Sequence, residues 1–313
     1  MIKEEYKKQV QLLLDVMPEI AREECFALHG GTAINMFIRN MPRLSVDIDL
    51  TYLTLEDFET SRANINAALQ RITENVKKIL PEVKVNHEEK NSKLYISRKG
   101  ILLKVEVNLT GRGSLSAPIM MNLCEKAKEQ FDTFVSMRIL PLGQIFGSKI
   151  CAALDRQHPR DLFDVSCLLK NEGITPAVKE GFLLYLSGHS RPFNELLAPN
   201  WKDQRQAMET QFAGMSAEVF TYEDYEQTRE ALLKGLHESL TQADRNFLLS
   251  LKNLKPDWKI YDFERFPNIG WKLENLKILK ENNPEKHKRL LDALKQRLFP
   301  QTSLRLRTRG RRI

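Results

Sequence analysis

Residues 29–53 read HGGTAINMFIRNMPRLSVDIDLTYL, and the fold can be built outward from that string. The short apolar run Cys25–His29 reads as a strand, which Gly30 and Gly31 end. Ala33 to Arg39 then has the spacing of a helix. Two glycines at such a turn let backbone come close to a phosphate, and the helix N-terminus behind them favours anions. Ser45 to Leu50 follows as a strand in which Asp47 and Asp49 alternate with Val46, Ile48 and Leu50. Side chains alternate across a strand, so the two carboxylates point to one face. Carboxylates held this close repel and rise in pKa unless a cation sits between them. A hard cation such as Mg²⁺ suits them, its shell completed by water and phosphate oxygens. His29, beside the glycines, is within reach of a substrate but reads first as a structural histidine.

The flanking segments supply a sheet with helices on it. Residues 3–17 read as an amphipathic helix with Tyr6, Val10, Leu13, Leu14 and Met17 on one side. Pro18 is expected to interrupt it, and a short helix over Glu19–Glu24 leads to the first strand. Thr54 is the expected N-cap of a long helix whose apolar face runs from Phe58 through Ile65, Leu69, Ile72 and Val76 to Leu80. Val83–His87, Lys93–Ser97 and Ile101–Leu109 read as strands, the last two joined by a turn at Arg98–Lys99–Gly100. In the third of these, Lys104, Glu106 and Asn108 make a polar face opposite Leu103, Val105 and Val107. Met137–Leu140 is a further short strand. Pro141 opens the helix LGQIFGSKICAALDR, residues 142–156, with Lys149 at its middle. In the next segment, QHPRDLFDVSCLL, Asp161 and Asp164 are three apart and face the same way on a helix. Taken alone, this block is an amphipathic helix with a lysine and a local arginine–aspartate pair.

From Gly173 onward the segments 176–187, 202–213, 223–240, 241–254, 271–282 and 284–298 all read as helices, with Thr241 or Asp244 as a cap. The expected class is therefore α+β (mixed α/β). A mixed sheet with flanking helices occupies residues 1–172, its core within 25–170. An all-helical domain over 173–313 ends in a basic tail, 302–313. That tail carries Arg305, Arg307, Arg309, Arg311 and Arg312, which suit a phosphate backbone without reading its sequence. With 313 residues, the chain is long enough for two such units. No apolar run approaches the roughly 20 residues of a membrane span. MIKEEYKKQVQLLLDVM at the N-terminus lacks the order of a signal peptide, so a cytoplasmic protein is expected. Cys25, Cys124, Cys151 and Cys167 are scattered without zinc spacing and read as small buried hydrophobes. A net charge of +7 is compatible with a nucleic-acid partner.

The order G-G-T then D-x-D resembles the signature of the DNA polymerase β-like nucleotidyltransferases. GGTAIN…RLSVDIDL is most similar to the AbiEii/AbiGii toxin family within that superfamily. The fifteen residues from Thr32 to Val46 slightly exceed the superfamily spacing, and the turn at Asn40–Met41–Pro42 is expected to hold the excess. K-x-x-A-x-x-x-R followed by R-D-x-x-D, here Lys149, Ala152, Arg156, Arg160, Asp161 and Asp164, resembles the family's downstream block. The resemblance covers roughly residues 25–170.

What it implies is a polymerase β-like fold and transfer of a nucleotide from an NTP. Asp47, Asp49 and a third carboxylate, Glu106, would hold Mg²⁺ or Mn²⁺, with Glu106 as ligand or base. Gly30, Gly31 and Thr32 would contact phosphates. Lys149 would bind the triphosphate, with Arg156 and Asp161 beside it and Asp164 as an acid near the site. The family further implies a bacterial toxin–antitoxin or abortive-infection role, an RNA acceptor such as the 3′ end of tRNA, blocked translation and a cognate antitoxin. Two other readings stand: transfer to a small molecule such as an aminoglycoside or to a protein hydroxyl, and a non-catalytic nucleotide-binding module.

Overall fold

The computed structural model describes residues 3–299; the arginine tail expected to meet phosphates lies outside them. Seven strands make one mixed sheet: β1 (Phe26–His29), β2 (Asp47–Tyr52), β3 (Lys84–Glu88), β4 (Lys93–Arg98), β5 (Ile101–Asn108), β6 (Ile119–Asn122) and β7 (Ser136–Ile139). Their order across the sheet is β3-β4-β5-β2-β1-β7-β6. Parallel pairing joins β2 to β5 and β1 to β7, and the other neighbours are antiparallel. The β4–β5 hairpin turns at Lys99 (φ 49°) and Gly100 (φ 83°); two successive left-handed residues match the twist of the strands they join.

Helices α1 (Glu4–Ala21), α2 (Gly30–Thr32), α3 (Phe58–Ile79), α4 (Glu125–Phe131), α5 (Leu142–Asp155) and α6 (Pro159–Asn171) accompany the sheet. The chain then continues as α7 (Pro176–Ser187), α8 (Phe193–Leu196), α9 (Arg205–Ala207), α10 (Tyr222–Ser239), α11 (Gln242–Lys252), α12 (Pro267–Asn282) and α13 (Pro284–Leu298). Ile48 and Leu50 on β2, Leu94 and Ile96 on β4, and Leu103 and Val105 on β5 are sealed from solvent. The apolar cluster they belong to extends from α1 to α13.

The two halves meet most closely where α7 crosses α5. A Cβ on Gly181 would lie 2.1 Å from the Gly143 carbonyl oxygen, and one on Gly147 would lie 2.1 Å from the Gly181 carbonyl carbon. Backbone therefore packs on backbone there.

Several local expectations need correction. Pro18 does not interrupt the first helix; α1 runs through it to Ala21. The proline is exposed while Val16, Met17 and Ile20 are buried, so packing holds the turn and water can serve the carbonyl that the missing N–H leaves free. The N-cap of α3 is Asp57, accepting from the Thr60 amide at 2.9 Å, and not Thr54. The expected helix over 202–213 is a single turn running into a π-helix, Met208–Phe212. β6 has no alternation and is mostly exposed, so its four residues carried no strand signal. Thr241 and Asp244 both cap α11, as a reciprocal capping box.

The α5–α7 contact yields a direct test. Gly147→Ala and Gly181→Ala force backbone apart and should each lose about 3 kcal/mol or more of stability, the upper end for overpacking. Gly270→Ala, exposed on α12 with open space around it, should instead gain about 0.5–1 kcal/mol. Urea unfolding of the three variants checks both signs.

Candidate active site

β2 presents the D-x-D pair as its alternation requires: Asp47 and Asp49 are half-exposed on one face, with Ile48 and Leu50 buried behind them. The sheet register then assembles the rest. Asp49 lies opposite Glu106 of β5 on one side and opposite His29 of β1 on the other. Asp47 lies opposite Lys104, and Lys93 of β4 lies opposite Glu106. Directly paired residues share a face, so His29, Asp49, Glu106 and Lys93 form a row across four strands.

Gly30 is needed twice over. Its φ is +71°, and a Cβ there would lie 2.4 Å from Asp49 Oδ2. A Cβ on Gly31 would meet Ser45 Oγ at 2.8 Å and the Arg43 guanidinium at 2.9 Å. The glycine turn is thus pressed against the aspartate strand, leaving its backbone as the approach for a phosphate. Thr32, predicted to contact phosphate, is fully buried. Its hydroxyl donates to the Asp47 carbonyl at 2.5 Å and lies 3.0 Å from Ser45 Oγ, so it anchors the strand that carries the aspartates. Beyond it the chain winds as a π-helix, Ala33–Ile38, and then turns at Met41, whose φ is 51°.

The downstream block forms a lattice of charge, buried except for the exposed Arg156. Lys149 Nζ is 3.0 Å from Asp161 Oδ1 and 3.1 Å from Asp164 Oδ2. Arg156 donates to both oxygens of Asp161, at 2.5 and 2.8 Å. Arg43 donates to both oxygens of Asp164, at 2.8 and 2.6 Å, and the Asn35 amide adds a bond of 3.0 Å. Asp161 and Asp164 are 0% and 1% exposed. Burial works to raise both carboxyls, but Lys149 and Arg156 hold Asp161, and Arg43 and Lys149 hold Asp164, below the usual carboxylate range. All four oxygens are engaged. Asp164, predicted as an acid near the site, is therefore an anchor for Lys149 and Arg43. Three cations share two carboxylates here, so one positive charge is left over.

A cleft of about 640 Å³ opens over the row, lined by His29, Gly30, Asp49, Glu106, Lys149 and Arg156 among others. Burial pushes the Asp47 carboxyl up; Lys104 opposes this and Asp49 adds to it. Burial also lowers His29, against the pull of Asp49, so its imidazole is neutral at pH 7; its Nδ1 is buried without a partner among the described residues. Glu106 behaves differently. Burial would raise it, but Lys104 at 2.8 Å and Lys93 at 3.1 Å hold it below its usual range.

These differences decide what a metal could use. Among the described residues, no three His, Cys, Asp or Glu side chains gather to hold an ion alone. Asp47 and Asp49 pair with no described cation, and two free carboxylates beside a phosphate-sized turn fit an ion that takes its other ligands from water and substrate. Glu106 fits less well, because an ammonium already faces each of its oxygens.

Comparisons with known proteins place the chain in a family and a fold. Residues 11–275 match the nucleotidyl transferase AbiEii toxin family, of type IV toxin–antitoxin systems. The chain belongs to that family. No curated protein matches the sequence. Among solved structures it is similar to MenT4, a nucleotidyltransferase toxin from Mycobacterium tuberculosis H37Rv, with a TM-score of 0.61 and 11% identity over 88% of this chain and 95% of that one. At such identity the likeness is one of fold, and it runs through the helical half as well as the sheet. For this AbiEii-family nucleotidyltransferase, reading the sequence gave no role to Arg43 and Asn35, although both lie within GGTAIN…RLSVDIDL, and missed Lys93, whose place opposite Glu106 depends on register.

The lattice makes a prediction with a sign. Arg43→Met leaves Asp164 short of its main partner and should cost about 3–5 kcal/mol at pH 7. The lowered pKa of Asp164 stabilises wild type above the unfolded value, about 4, and that stabilisation is lost as pH falls through the folded value. The gap between wild type and Arg43→Met should therefore narrow below about pH 4. Denaturant unfolding at pH 7 and pH 3 measures it.

Proposed function

We propose that this toxin transfers a nucleotidyl group from an NTP to a hydroxyl of an RNA acceptor, the 3′ end of tRNA being the simplest, and so blocks translation in the cytoplasm. One observation carries the reading: Asp49, the Gly30 turn pressed against it, and Lys149 and Arg156 of the charge lattice line one cleft, with Asp47 on the same strand face as Asp49. Asp47 and Asp49 would hold Mg²⁺ or Mn²⁺, which supplies charge stabilisation at the attacking and leaving oxygens. Amides of the Gly30–Gly31 turn face the phosphates. Lys149 and Arg156, held in place by Asp161 and Asp164, offer the uncompensated charge to the departing pyrophosphate. Glu106, with its lowered pKa, is a weak base. Its role is to position Lys93 and Lys104 on the wall of the cleft, where they meet a second polyanion. Those lysines and the net charge of +7 favour RNA over a cationic aminoglycoside. The family further implies a cognate antitoxin.

Transfer from each α-³²P-labelled NTP to total bacterial RNA and protein, with Mg²⁺, tests the proposal. Wild type should label a tRNA-sized band, and Asp47→Ala/Asp49→Ala should lose at least about a hundredfold of it while unfolding cooperatively as wild type does. Label on protein alone, or equal labelling by the double variant, contradicts it.

A further inference from the structure

A second cavity, of about 420 Å³, lies in the helical half against α11, α12 and α13. It adjoins the catalytic cleft, since His189 lines both. Its floor is Leu276, Leu279 and Leu290, and its polar lining includes Lys252, Lys272 and Asn275. Lys252 is only 4% exposed. Its ammonium makes no ion pair or hydrogen bond with any described residue. Lys272 is 7% exposed and donates to the backbone carbonyls of His189 (2.6 Å) and Arg191 (2.9 Å). Neither ammonium has a carboxylate partner among the described residues.

Buried cations without counter-charge are expensive, and ordinarily they are paired. Burial pushes Lys252 and Lys272 down to about 8, and Lys252 adds to the fall of Lys272. An anion placed between them removes the conflict. At the rim stands Trp271, 52% exposed, packed edge to face with Phe58 at 6.4 Å between ring centroids. An exposed indole beside a cationic pocket suits a stacked base, and amides such as Asn268 and Asn275 suit a base edge. The donor triphosphate has its own place at the glycine turn and the Lys149 lattice.

We infer that this cavity is a nucleotide subsite that holds one nucleotide of the acceptor RNA strand, its phosphate on Lys252 and Lys272 and its base against Trp271. The nucleotide rests on the cavity's own geometry; its membership of the acceptor strand rests on the RNA-transfer reading above.

Two measurements separate these layers. In Trp201→Phe/Trp258→Phe protein, Trp271 is the sole tryptophan, and 5′-AMP should quench it saturably. Adenosine should be weaker, and Lys252→Met should weaken AMP by about tenfold or more through loss of a charge-assisted contact. Asp47→Ala/Asp49→Ala should quench as wild type does. Quenching unchanged by Lys252→Met overturns the subsite. The second measurement is steady-state transfer. Lys252→Met, and Trp271→Ala at the exposed rim, should raise KM for RNA and leave KM for NTP unchanged. Unchanged KM for RNA, or a raised KM for NTP instead, overturns the acceptor assignment. If wild type labels no RNA, the transfer reading fails by itself, and the AMP titration alone decides whether the cavity is a nucleotide site.

Discussion

Asp164 sits at the point where this structure is most constrained. Its carboxylate is sealed from water and takes bonds from Arg43, Asn35 and Lys149, which come from the approach to β2, the π-helix and α5. An ionised carboxylate cannot be buried at tolerable cost unless its partners are in place. Each of those segments must therefore take up its observed position before the others are satisfied. Buried ion lattices contribute little net stability, because desolvation offsets attraction. What this one supplies is placement: it stops Arg43 from swinging, seats the glycine turn against Ser45 and holds Lys149 at the edge of the cleft.

The contrast among the carboxylates follows from that arrangement. Asp161 and Asp164 are saturated by cations, and Glu106 is held between two lysines. Asp47 and Asp49 form no ion pair with a described residue, and burial, with Asp49 beside it, pushes Asp47 upward against the more distant pull of Lys104 and Arg160. A protein that pairs three of five acids and leaves two neighbours without an ion pair has left room for a charge from outside. The surplus positive charge a short way off, on Lys149 and Arg156, is matched to the other half of the same ligand.

Much of this was legible in the sequence, for identifiable reasons. Alternation along β2 has only one outcome, so the shared face of Asp47 and Asp49 could be read directly. The glycine pair announced a turn that no other residue could make. Lys149 and the R-D-x-x-D block could be picked out by spacing, but spacing does not show that Asp164 is sealed from water or that Arg43 shares it with Lys149. Nor does spacing show that the Thr32 hydroxyl is buried against the Asp47 carbonyl. Arg43 is a single arginine beside a proline in a loop, and only long-range packing turns it inward. β6 failed to register because an exposed four-residue edge strand has neither alternation nor an apolar face.

The central claim is that Asp47 and Asp49, rather than the saturated acids around them, hold the ion that binds the NTP. A crystal grown with Mn²⁺ and a non-hydrolysable NTP analogue, measured at a wavelength where manganese scatters anomalously, tests this most directly. The account predicts an anomalous peak at about 2.1 Å from oxygens of both Asp47 and Asp49, with the phosphates running from the Gly30–Gly31 turn toward Lys149. A peak on Glu106 alone, or a triphosphate bound away from the glycine turn, would contradict it.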